Sequence, residues 1–160
     1  MKELAFRSGK ESDLPLLKEL FYETITSVCA KDYTAEQIKV WSSSIEKEER
    51  WLGIVRDQYM LLAEKDGEIV GFITLENSNY VDFIYVHKEY QGQKIAQQLY
   101  QKVEEEAKRE GTTILSSDVS ITARPFFERM GFEVLKEQRN ERKGVALNNY
   151  KMSKTLLLNQ

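Results

Sequence analysis

Val86-His87-Lys88-Glu89-Tyr90-Gln91-Gly92-Gln93-Lys94-Ile95-Ala96 carries an apolar strand pattern through a short polar turn into a long helical pattern. A strand that feeds a helix in this way presents unpaired backbone N–H groups and the positive end of the helix dipole to whatever lies ahead. The arrangement is an anion site, and it suits a pyrophosphate. Lys94 stands where a third small residue is expected in such a turn.

Working upstream, Tyr80 to Val86 reads as the strand that enters the turn. Tyr59-Met60-Leu61-Leu62-Ala63 and Ile69-Val70-Gly71-Phe72-Ile73-Thr74-Leu75 flank Lys65-Asp66-Gly67-Glu68. An Asp-Gly pair between two such runs signals a hairpin, so these three strands form an antiparallel meander. Nearer the N-terminus, Leu4 to Arg7 is a short strand. Ser12 or Asp13 then caps a helix whose Leu14, Leu17, Leu20, Phe21, Ile25 and Val28 recur at three- and four-residue spacing. Thr34-Ala35-Glu36-Gln37 opens a second helix as a capping-box variant, with Ile38, Trp41 and Ile45 on one face. No element is assigned between that helix and Tyr59.

Downstream, the helix runs from Gln91 to Arg109, with Ile95, Leu99 and Val103 inward and Gly111 as its C-cap residue. Thr113 to Ser117 is a strand, and Ala123 to Met130 a short helix closed by Gly131. Phe132 to Gln138 and Val145 to Met152 pair around a charged turn at Arg139 to Gly144. The order β-α-α-β-β-β-α-β-α-β-β predicts one α/β domain, residues 1–160, with a mixed sheet.

Composition narrows the function. With 31% charged residues and a formal net charge of −3, the chain reads as a globular domain without the basic footprint of a nucleic-acid binder. Leu156-Leu157-Leu158 is too short to span a bilayer, and Met1 to Arg7 lacks the apolar core of a signal peptide, so a cytoplasmic protein without a membrane partner is expected. The single cysteine, Cys29, excludes an internal disulfide and a multi-cysteine zinc site, and no metal is expected.

Gln91-Gly92-Gln93-Lys94-Ile95-Ala96 resembles the Gln/Arg-x-x-Gly-x-Gly/Ala loop of the GNAT superfamily of acyl-CoA-dependent N-acetyltransferases. Ser120-Ile121-Thr122-Ala123-Arg124-Pro125-Phe126-Phe127-Glu128-Arg129-Met130-Gly131-Phe132 is similar to that family's Asn-x-x-Ala-x-x-Phe-Tyr-x-x-x-Gly-Phe segment. The resemblance covers nearly the whole chain. Asp118 to Arg139 and Asp32 to Trp41 look like the YafP-type branch of the bacterial proteins. It implies a GNAT fold, a mostly antiparallel sheet of about seven strands flanked by about four helices, and acetyl-CoA as co-substrate. It also implies transfer of the acetyl group to a primary amine by direct attack in a ternary complex. The alternative is a non-catalytic acyl-CoA binding or sensing protein on the same scaffold. A homodimer through the C-terminal strands, near Val145-Ala146-Leu147, is a further expectation; those residues otherwise pack in the core.

By the same resemblance, the backbone at Ile84 and Val86 pairs with the pantetheine arm, and a strand N–H stabilises the oxyanion. Gln91, Gly92, Gln93, Lys94, Ile95 and Ala96 wrap the pyrophosphate, and Ser120 bonds the pantetheine in place of the usual asparagine. Lys94 either faces solvent or adds a phosphate contact as a point charge. Phe127 replaces the tyrosine proposed to protonate the departing thiolate, so it is a packing contact near the thioester. The first two helices cover the acceptor side in this fold, which makes Tyr22, Tyr33 and Trp41 candidate substrate contacts or core residues.

The acceptor must be deprotonated before attack, because an alkylammonium has a pKa of roughly 10. Asp82 is the candidate base: it shares strand parity with Ile84 and Val86 in an otherwise apolar strand. Its other reading is a residue that ends a turn or pairs with a lysine. Glu76 and His87 are weaker candidates. Cys29 and the serines lack a neighbouring base in the sequence, which favours direct transfer over a covalent enzyme species.

Overall fold

The computed structural model describes residues 4–156. Residues 1–3, Leu157 and Leu158 therefore lie outside the described residues, and with them part of the two terminal stretches named above. Twelve elements follow in order: β1 (Ala5–Ser8), α1 (Leu14–Ser27), α2 (Ala35–Ser42), α3 (Glu48–Asp57), β2 (Tyr59–Lys65), β3 (Glu68–Glu76), β4 (Tyr80–Val86), α4 (Ile95–Arg109), β5 (Ile114–Ser120), α5 (Arg124–Arg129), β6 (Glu133–Arg142) and β7 (Val145–Thr155). The strands form one sheet in the order β1-β2-β3-β4-β5-β7-β6. Every neighbouring pair is antiparallel except β4 and β5, which run parallel.

Each face of the sheet buries a separate core. On one face α4 and α5 pack Ile95, Leu99, Tyr100, Val103 and Phe127 onto Ile73, Leu75, Val81 and Leu115. On the other, α1, α2 and α3 bury Leu17, Phe21, Ile25, Ile38, Trp51 and Ile54 against Leu62, Phe72 and Phe83. The helical spacing read in α1 and α4 is this burial pattern, and period-3.6 apolar stripes account for both.

Several elements depart from the sequence reading. The described residues form five α-helices; α3 is the one that the sequence reading lacks, although Trp51 and Ile54 fill its inner face. Its polar first turn and central Gly53 weaken the stripe, and tertiary burial against α1 forms it regardless. Asp13 does not cap α1 by its side chain. Its carboxylate accepts from the Lys10 N–H at 2.9 Å and from the Arg7 guanidinium at 2.9 and 2.8 Å, and Arg7 holds it below the usual carboxylate range. Thr34 and Gln37 do form the expected capping box, at 3.1 and 2.8 Å. The β6–β7 turn is only Lys143-Gly144, both at positive φ, so the charged residues Arg139 to Arg142 belong to a strand. β5 continues three residues beyond Ser117, through Asp118.

Gly71 sets the distance between β3 and α4. A Cβ there would lie 3.1 Å from the Tyr85 carbonyl oxygen and 3.2 and 3.3 Å from Leu99 and Ile95 side-chain carbons. Gly71→Ala is therefore expected to destabilise the protein by about 1–3 kcal/mol, through overpacking against backbone that cannot yield. Chemical denaturation checks this; a midpoint equal to that of the parent would mean that α4 shifts freely.

Candidate active site

β4 and β5 touch at one register point, Tyr80 opposite Ser116. Asn79 C=O accepts from Ser116 N–H at 3.0 Å, and Ser117 Oγ donates to Val81 C=O at 2.8 Å. Beyond these bonds the strands part, and a cleft of about 900 Å³ opens between them. The edge of β4 faces this cleft. Residues of an antiparallel ladder send their N–H and C=O groups alternately to the two sides, and His87 N–H bonds Val70 C=O at 2.8 Å. Ile84 and Val86 consequently turn theirs away from β3, towards the cleft they line. The Val86 carbonyl is held by Gln91 Nε2 at 2.6 Å and Thr24 Oγ1 at 3.2 Å.

The turn after β4 is built as a separate anchor. His87 Nδ1 accepts from Glu89 N–H at 3.0 Å and caps a short 3-10 turn, which gives the only histidine a structural role. The helix does not begin at Gln91: Gly92 and Lys94 both adopt left-handed backbone, φ 75° and 62°, and α4 starts at Ile95. Two left-handed residues curl Gln91 to Lys94 in front of the helix axis. No side chain caps α4, and its first turn holds no acidic residue. Gln91, Gly92, Lys94, Ile95 and Ala96 line the cleft, so the uncapped helix end and its N–H groups border the cavity; a helix end of this kind favours negative charge. Gln93 sits outside that lining and accepts from Lys65 Nζ at 3.2 Å.

The opposite wall comes from β5 and α5. Ser120 Oγ accepts from Ala123 N–H at 3.0 Å and starts α5, while Phe127 is buried edge-on to Phe126 and Phe132. The segment between α1 and α2 crosses over the cleft to meet this wall. Thr122 Oγ1 donates to Asp32 at 2.7 Å, Tyr33 Oη donates to Asn148 C=O at 3.0 Å and accepts from Ile121 N–H at 2.9 Å, and Gln37 Nε2 donates to Ala146 C=O at 2.8 Å. Burial pushes the Tyr33 hydroxyl up to about 12 and the Cys29 thiol up to about 11. Trp41 packs edge-on against Tyr33, with ring centroids 5.2 Å apart, and both line the cleft. Tyr22 does not join them: it is 44% exposed on the outer side of α1, in a shallow groove against α2.

Asp82 lies in the cleft wall, but not on the face that parity predicts. The β3–β4 register shifts by one residue between Ile73 and Leu75, with Phe83 N–H satisfied by the buried Thr74 Oγ1 at 3.1 Å. This bulge puts Val81, Ile84 and Val86 with the α4 core and swings Asp82 towards α3. There Arg50 grips it with two hydrogen bonds of 2.9 Å each and Gln58 Nε2 adds a third at 2.7 Å. The Asp82 side chain is 7% exposed, and Arg50 also stacks over Phe83 at 5.1 Å.

A second polar group is not legible in the sequence. Asp118 Oδ2 accepts from Tyr80 Oη at 2.6 Å, Asp118 Oδ1 from Gln138 Nε2 at 2.8 Å, and Asn149 Oδ1 accepts from both Gln138 and Asn140 at 3.0 Å. All five residues line the cleft. The available signal is Asp118 itself, an acidic residue inside a strand whose sequence pattern stops one residue short of it. Among the described residues no group of three or more His, Cys, Asp or Glu side chains is placed to hold a metal, and no helix is long and apolar enough to cross a membrane.

Residues 29–154 match the family described as the acetyltransferase (GNAT) domain. The chain belongs to the GNAT acetyltransferase family. The uncharacterized N-acetyltransferase YafP of Escherichia coli K12 is 31% identical over 152 residues, which cover 95% of this chain and 96% of YafP. The crystal structure of a GCN5-related N-acetyltransferase from Rhodopseudomonas palustris superimposes with a TM-score of 0.91 at 30% identity, over 95% of both chains. PaiA N-acetyltransferase from Thermoplasma acidophilum, solved in complex with coenzyme A, shares the fold with a TM-score of 0.78 at 24% identity, over 96% of this chain and 99% of its own.

Two properties of the site are measurable without a ligand. A left-handed lysine costs about 1–2 kcal/mol of backbone energy, which glycine relieves at a similar entropic expense, so Lys94→Gly should leave stability within about 1 kcal/mol of the parent. Lys94→Val, β-branched at positive φ, should lose at least about 1 kcal/mol more than Lys94→Gly in the same denaturation series. For Cys29, the folded state binds the thiol proton more tightly than the unfolded state, whose ordinary value is 9.0. Its contribution is therefore complete below about pH 9 and lost as pH rises towards about 11. Over that window the parent should lose on the order of 2 kcal/mol relative to Cys29→Ala, read from paired urea melts.

Proposed function

We propose that the protein transfers an acetyl group from acetyl-CoA to a primary amine by direct attack in a ternary complex. The parting of β4 from β5 above the uncapped start of α4 carries the reading. An extended arm fits the edge of β4 at Ile84 and Val86, with Ser120 and Phe127 along the facing wall. A pyrophosphate fits the N–H groups of Gln91, Gly92, Lys94, Ile95 and Ala96, with the Lys94 ammonium as an added cation and Gln93, outside the lining, left out. Acetyl-CoA supplies a thioester, whose carbonyl carbon is the electrophile. The cleft-facing N–H groups of β4 are donors for the carbonyl oxygen, where negative charge builds.

Direct transfer is supported by Cys29, the one thiol, which burial holds protonated at neutral pH. Phe127 has no proton to give, and a CoA thiol of pKa roughly 8.5 leaves without one. Asp82 is the expected base, but its bonds to Arg50 and Gln58 support a different role, in which it neutralises Arg50 and ties α3 to β4. Tyr33 and Trp41 close the acceptor side; Tyr22, on the outer surface, has no part in the reaction. A second reading, an acyl-CoA binding or sensing protein without transfer, draws on the already paired Asp82 and the missing hydroxyl at Phe127.

Acetyl-CoA is expected to raise the melting temperature, since binding to the folded state alone stabilises it. Thiol release with at least one member of a broad amine panel separates transfer from sensing. A thermal shift without thiol release from any amine would leave only the sensing reading; no shift at all would remove both.

A further inference from the structure

We infer that Asp118 binds the ammonium group of the acceptor and that the amide layer beside it selects a hydrophilic amine. The inference rests on the acetyltransferase reading and deepens it.

Two carboxylates line the cleft, Asp82 and Asp118. Asp82 has a cation already, because both of its oxygens are bonded to Arg50. Asp118 has only neutral donors, Tyr80 Oη and Gln138 Nε2, and among the described residues it forms no ion pair, although Lys151 lies opposite on β7. Burial, and then the bond to Asp118, push the Tyr80 hydroxyl up, so its proton stays on the oxygen and points at the carboxylate. Gln138 is pinned in turn by Asn149, which Asn140 also holds. Asp118 is thus fixed in orientation from two strands, with one hydrogen bond to each oxygen and acceptor capacity left over. A charged carboxylate that faces a cleft without a counter-ion is completed by a cation from outside.

Asp118 binds the proton-bearing nitrogen; it is not asked to take the proton. Before attack the ammonium, with a pKa of roughly 10, gives its proton to hydroxide or a buffer base at the cleft mouth, forming water or the protonated buffer and leaving the free amine beside Asp118. Gln138, Asn140 and Asn149 present side-chain amides around Asp118, with Asn148 next to them in the lining. An apolar acceptor would desolvate those amides without replacing their hydrogen bonds. The acceptor class is therefore an aliphatic amine on a skeleton rich in hydroxyl, amide or amine groups.

The test measures thiol release and calorimetric acceptor binding in the presence of CoA, for the parent, Asp118→Asn, Asp118→Glu and Tyr80→Phe. Glucosamine, spermidine and lysine amide are the hydrophilic probes, and hexylamine is the apolar control. Asp118→Asn should raise the acceptor KM and Kd by thirtyfold or more, change kcat by only a few-fold, and keep the thermal shift with acetyl-CoA. Asp118→Glu should recover part of the affinity, and Tyr80→Phe should lose several-fold of it. Asp118→Asn that binds and turns over acceptor like the parent overturns the assignment, as does a loss confined to kcat. A higher kcat/KM for hexylamine than for every hydrophilic probe overturns the substrate class. Should the parent bind an amine beside CoA yet release no thiol, the transfer reading falls; loss of that binding in Asp118→Asn would still uphold Asp118 as the ammonium site, and equal binding would remove it.

Discussion

Everything at the centre of this molecule follows from one pairing that stops short. β4 and β5 run side by side at Tyr80 and Ser116 and then separate, although parallel strands in a sheet interior normally continue their ladder. Separation leaves backbone donors and acceptors of two central strands without their usual partners, and buried groups of that kind must be satisfied in some other way. Thr24 and Gln91 take up the Val86 carbonyl, and Ser117 takes up that of Val81. The rest of the exposed β4 edge faces a cavity of about 900 Å³.

The gap stays open because each wall is stiff by itself. Phe21, Trp51, Phe72, Phe83 and Tyr85 form a continuous set of ring contacts behind β4, with centroids 5.0–6.1 Å apart. Tyr100, Phe126, Phe127 and Phe132 do the same behind β5 and α5. Interiors packed at this density do not relax into a gap. Asp32, Tyr33 and Gln37 then bridge the two halves above the cleft, so that the second core is anchored to β7 as well as to β4. One wall is apolar and aromatic, while the mouth towards β6 is polar.

A single extra residue rearranges the charges in this cleft. The bulge at Asp82 and Phe83 breaks the alternation of β4, and a carboxylate that parity assigns to one face is delivered to Arg50 on the other. The same extra residue lets Thr74 satisfy the Phe83 N–H by its hydroxyl. Asp118 meanwhile gains its partners from Tyr80 and Gln138, which lie 38 and 20 residues away in the chain. The two acids differ in which elements converge on them, α3 on Asp82 and the strands β4 and β6 on Asp118, a property that neither acid's local sequence carries.

Local signals and their limits divide along the same line. Apart from α3, the order of elements, the Asp66-Gly67 hairpin, the Thr34 capping box, the apolar stripes of α1 and α4 and the turn that leads from β4 to α4 were legible in the sequence, because each depends on residues within a few positions of one another. The motif at Ser120 to Phe132 likewise pointed to the family, and the family match agrees. The late start of α4 was not legible, since a lysine in left-handed backbone runs against its own preference and is held there by the turn around it. Neither was α3, whose short stripe becomes a helix by burial of Trp51 and Ile54. The partners of Asp82 and Asp118 were hidden for one reason: each set is fixed by a register, a bulge or the packing of elements far apart in the chain. By itself the sequence determined the scaffold and the end of the cleft that suits an anion, through short-range periodicity and turn chemistry. Only the tertiary structure decided which carboxylate is already paired with a cation and which is not, because the bulge of β4 and the packing of α3 bring Arg50 to Asp82.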